Sequence, residues 1–227
     1  MTIARRRRLI KRQRTGTALA IAATISFLAG MTDAIGLLSI GDFVSFMSGN
    51  TTRAAIALGD GDFIGALLLV GALGAFIIGN ALGVIVAARL GVVGLLSTVS
   101  LVLMLCAGFG ALMPRPFYFY GVVLAMGLVN AAVEHIEGLP IGLTYVTGAL
   151  SRFGRGLGRW LLGNKNRQWL VQIVPWLGMF SGAVAGALLQ RHFGAASLWA
   201  SFALAAGLAL ATVLVPSRWS RRYIHSG

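Results

Sequence analysis

The sequence predicts an all-α membrane protein, with six transmembrane helices arranged as two inverted three-helix repeats and interrupted polar segments. Three observations point there. Of 227 residues, 57% are hydrophobic and 11% charged, and mean hydropathy is +0.84, whereas a soluble domain carries roughly 25% charged residues. Several apolar stretches reach the length that crosses a bilayer. A set of short motifs also recurs in the second half of the chain, in the same order.

The expected organisation is a basic tail over 1–16, a single transmembrane domain over 17–215 with repeats 17–113 and 117–215, and a second basic tail over 216–227. Arg5 to Arg8, Lys11, Arg12 and Arg14 precede the first apolar run. That run, Thr17–Leu38, exceeds the roughly 7–15 residues of a signal-peptide core, so it reads as a retained helix. The other expected spans are Phe63–Ala88, Gly91–Met113, Phe117–Val133, Trp169–Leu189 and Ala195–Val215. Pro114-Arg115-Pro116 lacks two backbone donors and separates the third span from the fourth. Trp160, Trp169 and Trp219 stand where interfacial anchors are expected. Phe43–Leu58 and Leu139–Leu150 are too short to cross and too apolar for ordinary loops, so each is a re-entrant half-helix or a bent extension of the preceding span.

Orientation follows from the bases. With the N-terminus inside, sixteen of nineteen Lys and Arg fall on the inner side, and only Arg53, Arg115 and Arg191 fall outside. This is the positive-inside asymmetry for two cytoplasmic termini. The net charge of +13 does not imply nucleic acid, because the bases sit at the ends of apolar spans without a recognition motif. Cys106 is the lone cysteine and the three His lack a His-Glu-x-x-His arrangement, so neither a metal nor another cofactor is expected. Glu134-His135-x-Glu137 reads as a solvated cluster. The Gly154, Gly156 and Gly158 alternation has no preceding strand and reads as a flexible loop.

The repeat rests on three pairs of motifs. Gly30-x-x-Asp33-Ala34 parallels Gly127-x-x-Asn130-Ala131, and Ser48-Gly49 parallels Thr147-Gly148. Gly79-x-x-x-Gly83 with Gly91 beyond parallels Gly182-x-x-x-Gly186 with Gly194 beyond. The offsets are 97, 99 and 103. Three spans per half put the second copy into the membrane upside down, a plan shared by many secondary transporters. The four repeated glycines are expected to let helix backbones approach closely.

Asp33 is an acid within an apolar span, which is costly and therefore a functional candidate. It either binds a cation or proton, or caps the segment that follows. In Met47-Ser48-Gly49-Asn50-Thr51-Thr52-Arg53, Gly49 offers a positive φ, and a helix starting there would turn its N-terminal amides to an anion. The alternative is a capped turn with Arg53 at the surface. The expected site joins Asp33, Ser48, Asn50, Thr51 and Arg53 to Asn130, Thr147 and Arg152 across a pseudo-two-fold, with Asp33 and Arg53 buried together.

The Gly30-x-x-Asp33-Ala34, Met47–Thr52, Gly127-x-x-Asn130-Ala131 and Thr144-Tyr145-Val146-Thr147-Gly148-x-Leu150 motifs resemble those of the YoaK-type bacterial membrane proteins over roughly residues 17–215. The resemblance implies a polytopic protein of the bacterial inner (plasma) membrane and supplies no activity. Three functions remain. A transporter of a small polar solute or ion is favoured by the repeat and its polar segments. A non-transporting scaffold or partner subunit contacting anionic lipid is the alternative, favoured by the basic tail and loop. An enzyme is not expected, since no nucleophile–base pair or metal set is evident.

Overall fold

The computed structural model describes residues 3–136 and 146–214, with side chains from Leu19 to Ala132 apart from Ala111, and from Val146 to Val213. Among the described residues all regular structure is helical: α1 (Ile3–Ile40), α2 (Met47–Gly59), α3 (Phe63–Phe109), α4 (Arg115–Ile136), α5 (Val146–Leu161), α6 (Val174–Phe193) and α7 (Leu198–Leu214), with short 3-10 turns beside α3, α6 and α7. Among the described residues three stretches are long and apolar enough to cross a membrane: Leu19–Ile40, Phe63–Phe109 and Gln168–Val213.

The stretch Phe63–Phe109 is a helical hairpin. Gly91 sits inside it at φ 69° and ψ −176°, a backbone region essentially confined to glycine. The register against α4 shows the reversal. Along the first arm, Gly71 meets Tyr120, Gly79 meets Leu124, and Gly83 meets Leu128 and Ala131, so this arm and α4 run in the same direction. Along the second arm, Cys106 meets Gly121 and Gly110 meets Tyr118, so that arm runs the other way. In the stretch Gln168–Val213 the break falls at Gly194, which also has positive φ, 52°. Pro175 sits at the start of α6, where its missing N–H costs no helical hydrogen bond.

Glycine backbone contacts join the helices in a crossed pattern. α1 packs on α6: Gly30 lies on the Met179 carbonyl, Gly182 on the Phe27 carbonyl and Gly186 on the Met31 backbone. α4 packs on the first arm of α3: Gly127 lies on the Phe76 carbonyl, Gly79 on the Leu124 carbonyl and Gly83 on the Leu128 backbone. These are the same three contacts, with the α1 positions shifted by 97 and the α6 positions by 103. A Cβ at Gly186 would stand 2.9 Å from Met31 Cα, and one at Gly83 would stand 3.4 Å from Leu128 Cα. The glycines thus fulfil the packing role expected of them, and small side chains are what permits this approach. The remaining core is aliphatic: Ile25, Leu28 and Ile35 from α1, Leu95, Leu96, Val99 and Leu103 from the second arm of α3, Met126 and Leu128 from α4, and Leu198 from α7.

One local expectation changes. The segment holding Gly154, Gly156 and Gly158 is α5, a helix rather than a flexible loop. Intrinsic glycine propensity is overridden because Gly156 is buried against the Trp169 side chain, where a Cβ would collide. Segment 43–58 is divided into a turn and the separate 13-residue α2, about 20 Å long at the usual helical rise. Of segment 139–150, residues 139–145 lie outside the described residues, as do Trp219 and the side chains of Glu134, His135 and Glu137.

The crossed contacts generate a paired prediction. Gly182→Ala and Gly79→Ala should each lower stability by about 1–3 kcal/mol, because each adds a methyl against a carbonyl in a closed helix contact. Gly74→Ala and Gly207→Ala meet nothing within 4 Å and should be neutral or stabilising. Thermal unfolding of the detergent-purified variants measures all four. Equal effects at packed and open positions would remove the close-contact role.

Candidate functional site at the end of the first helix

The polar residues gather where α1 stops. α1 ends at Ile40 and the chain turns on Gly41 at φ 94°, a conformation that favours glycine. The last carbonyls of a helix lack internal partners, and two arginines supply them. Arg115, the first residue of α4, donates to the Ile40 carbonyl. Arg53 of α2 donates to the Gly41 carbonyl at 2.7 Å. Two of the three bases expected on the outer side therefore meet at one helix terminus, where cations are electrostatically favoured.

Asp33 secures the other side of this turn. Its carboxylate Oδ1 accepts the Val44 and Ser45 backbone N–H groups, both at 2.8 Å, and the residue is 5% exposed. Asn50 is fully buried, and its Nδ2 donates to the Phe43 carbonyl at 2.6 Å. Asn50 Oδ1 is buried with no hydrogen-bond partner. Turn 41–46 is thus held by a carboxylate from α1 and an amide from α2, and one acceptor is left over inside.

This changes how the Met47–Arg53 motif works. It forms the first two turns of α2, and the break in the chain lies just upstream. Gly49 is helical; its lack of a side chain makes room for the Phe43 and Phe46 rings, and the positive φ belongs to Gly41. The Asp33 carboxylate takes amides just upstream of α2, those of Val44 and Ser45. Ser48 and Thr51 are exposed, and Thr51 Oγ1 donates back to the Met47 carbonyl at 2.9 Å. Arg53 does not pair with Asp33. Its ion pair is with Asp42 at 3.1 Å, with Arg53 44% exposed, a setting in which a pair contributes about 0–1 kcal/mol.

The expected partners from the second half lie elsewhere. Asn130 Nδ2 donates to Asn80 Oδ1 at 2.6 Å, bridging α4 and the first arm of α3. Arg152 Nε donates to Gln172 Oε1 at 2.8 Å, beneath α5. Thr147 is exposed. Among the described residues no hydrogen bond joins Asn130, Thr147 or Arg152 to the Asp33–Asn50 group. Asn80 and Gln172 were not anticipated, although each is a polar residue inside an apolar span and so carried the same signal as Asp33. Thr32 and Ser201 add a buried hydroxyl pair at 2.9 Å between α1 and α7. A groove of about 420 Å³ lies between α1 and α6, lined by Ala23, Thr24, Phe27, Leu177, Gly178 and Ser181 among others. It is mostly apolar and holds none of the expected site residues.

The comparisons with known proteins agree with one another. Residues 21–211 match the family described as "Protein of unknown function (DUF1275)". A UPF0700 transmembrane protein of Rhizobium meliloti (strain 1021) is 57% identical over 226 residues, covering 100% of each chain. No solved structure matches. The chain is a membrane protein and belongs to the DUF1275 family, which includes the YoaK-type proteins that its motifs resemble.

Proposed function

We propose that the chain is a non-enzymatic transporter of a small polar solute or ion, built from six spans in two inverted repeats, in the bacterial inner membrane with both termini cytoplasmic. The observation that carries this reading is the Asp33–Asn50 group. A carboxylate buried inside a membrane protein is costly, and a neutral Asn would keep one oxygen for the Val44 and Ser45 N–H groups but would turn its NH2 toward the Ser45 hydroxyl and Phe46 N–H that also face Asp33. Asn50 Oδ1 beside the same turn is an acceptor without a donor, and leaving such a group buried costs about 1–3 kcal/mol. The two together suit a proton, a metal cation or a solute ammonium. Asp33 and Asn50 form the centre of this proposed site. Ser48, Thr51 and Arg53 flank it on α2, and Asn130, Thr147 and Arg152 are their proposed counterparts in the second repeat.

The repeat itself is supported by the crossed glycine contacts, since one operation that exchanges the halves turns the α1–α6 contact into the α4–α3 contact. It is also supported by Gly91 and Gly194, which reverse or break the chain at matching places with positive φ. Halves that exchange through matched, closely packed contacts suit the rocking of one repeat against the other in alternating access.

The scaffold reading is favoured by the same closeness of packing. Helices locked backbone to backbone over Gly178, Gly182 and Gly186 suit a bundle that does not rearrange. Uptake by the purified protein in liposomes, screened with cations and small polar solutes under imposed proton and sodium gradients, separates the two. Transport requires an accumulating solute; no uptake of any screened class supports the scaffold.

Two further outcomes are expected. Asp33→Asn should still fold, because the amide oxygen accepts the Val44 and Ser45 N–H groups, while abolishing gradient-coupled uptake. Asp33→Ala leaves the buried Val44 N–H and the partly buried Ser45 N–H unpaired and should cost about 2–4 kcal/mol of stability. A fully active Asp33→Asn would reduce Asp33 to a cap. For topology, reporter fusions after Pro116 and after Gly227 should read outside and inside respectively, and a reversed reading at either point would overturn the proposed orientation.

A further inference from the structure

α5 divides its surface into three sectors at the helical period. Ala149 and Gly156 are buried, and Phe153 with them faces the start of the Gln168–Val213 stretch. There the Phe153 and Trp169 rings stand 5.0 Å apart, and the Trp160 and Trp169 rings 6.5 Å apart. A second sector, Leu150, Leu157 and Leu161, is apolar yet exposed, with Leu161 at 71%. The third sector is basic and exposed: Arg155 and Arg159, with Lys165 and Arg167 in the following segment. No acidic residue lies between Val146 and Phe193 to neutralise these bases.

The position of α5 selects the partner. It packs on the first turns of a membrane-crossing stretch, and so lies at the depth where hydrocarbon gives way to headgroups. A helix with an apolar face, a separate cationic face and aromatic residues at their border is suited to lie in that plane. Beneath α5, Arg152 Nη2 and Trp169 Nε1 are buried donors with no hydrogen-bond partner. Among the described residues, the exposed bases of this face call for an anionic partner, and the exposed leucines call for acyl chains.

We propose that α5 is an interfacial helix that recognises anionic lipid. Arg155 and Arg159 take the headgroup phosphates while Leu150, Leu157 and Leu161 enter the acyl boundary. Lys165 and Arg167 extend the basic surface beyond the helix. This inference requires a membrane protein and does not depend on transport.

The test uses the full chain carrying Cys106→Ala and Leu161→Cys, labelled at the new cysteine with an environment-sensitive fluorophore and placed in nanodiscs. Spin-labelled phosphatidylglycerol should quench the label at lower mole fraction than spin-labelled phosphatidylcholine. In the Arg155→Gln/Arg159→Gln variant that preference should fall by about tenfold or more, and salt should weaken it in the parent. Arg155→Lys/Arg159→Lys should retain it. Arg191→Gln, an exposed base at the far end of α6, should leave it unchanged. Thermal unfolding verifies that the variants are folded. Equal quenching by both lipids, or a preference unaffected by the double Gln variant, overturns the proposal. A label that neither lipid reaches, as when an acidic protein covers this face, overturns it as well.

Discussion

Close approach of helix backbones is the constraint on which this structure depends. Hydrocarbon does not drive apolar helices together, because lipid tails are as apolar as leucine. Association must come from dispersion contacts and short-range polar contacts, both of which demand proximity. Gly30, Gly182 and Gly186 provide it for α1 and α6, and Gly127, Gly79 and Gly83 provide it for α4 and the first arm of α3. Once those pairs are closed, the aliphatic side chains of the second arm of α3 and of α7 fill the space around them. The end of α1 is then positioned so that Arg115 of α4 reaches the Ile40 carbonyl.

The second constraint is that an irregular backbone near hydrocarbon must be answered by the protein itself. Turn 41–46 obeys it group by group. The Val44 and Ser45 N–H groups go to Asp33, the Phe43 carbonyl to Asn50, the Gly41 carbonyl to Arg53 and the Ile40 carbonyl to Arg115. Four side chains from α1, α2 and α4 converge on one short turn. A buried acid is a costly group to place in an apolar helix, even where the Ser45 hydroxyl and several amides face it. This cost separates Asp33 from residues such as Thr51 and Thr52, whose hydroxyls return to carbonyls of their own helix.

Much of the architecture was legible in the sequence because its signals are local. Span-length apolar runs, the Gly-x-x-x-Gly spacing and the prolines at 114 and 116 depend on nearest neighbours along the chain. Among the described residues each expected span overlaps a helix, and the repeated glycines sit in contact with backbone. The site was legible only in part. Asp33 was marked by its cost in an apolar span, yet its partners Val44 and Ser45 offer backbone groups, which carry no sequence signature. Arg53 was assigned to Asp33 on charge alone, whereas the nearby Asp42 and the Gly41 carbonyl were the closer solution. α5 was hidden because three alternating glycines suggest a loop. Its stability comes from Trp169, which lies beyond the helix in sequence, and a contact of that kind is visible only once the chain is folded.

The two halves share a packing frame and differ in the polar groups they hang on it. At the position matching Asp33 stands Asn130, neutral, whose partner is Asn80 on a neighbouring helix. At the position matching Arg53 stands Arg152, which meets a neutral Gln172 instead of a carboxylate. Substitution at glycine contacts is blocked by backbone collision, so both halves retain the same contacts there. Polar positions are limited only by the need for some partner, so each half can meet it differently. Charge has settled at opposite ends in different forms. The first half holds a buried acid at a closed turn, and the second holds an exposed basic helix against the start of α6. One end of the molecule buries an acid and an amide against a turn, and the other presents an exposed basic face.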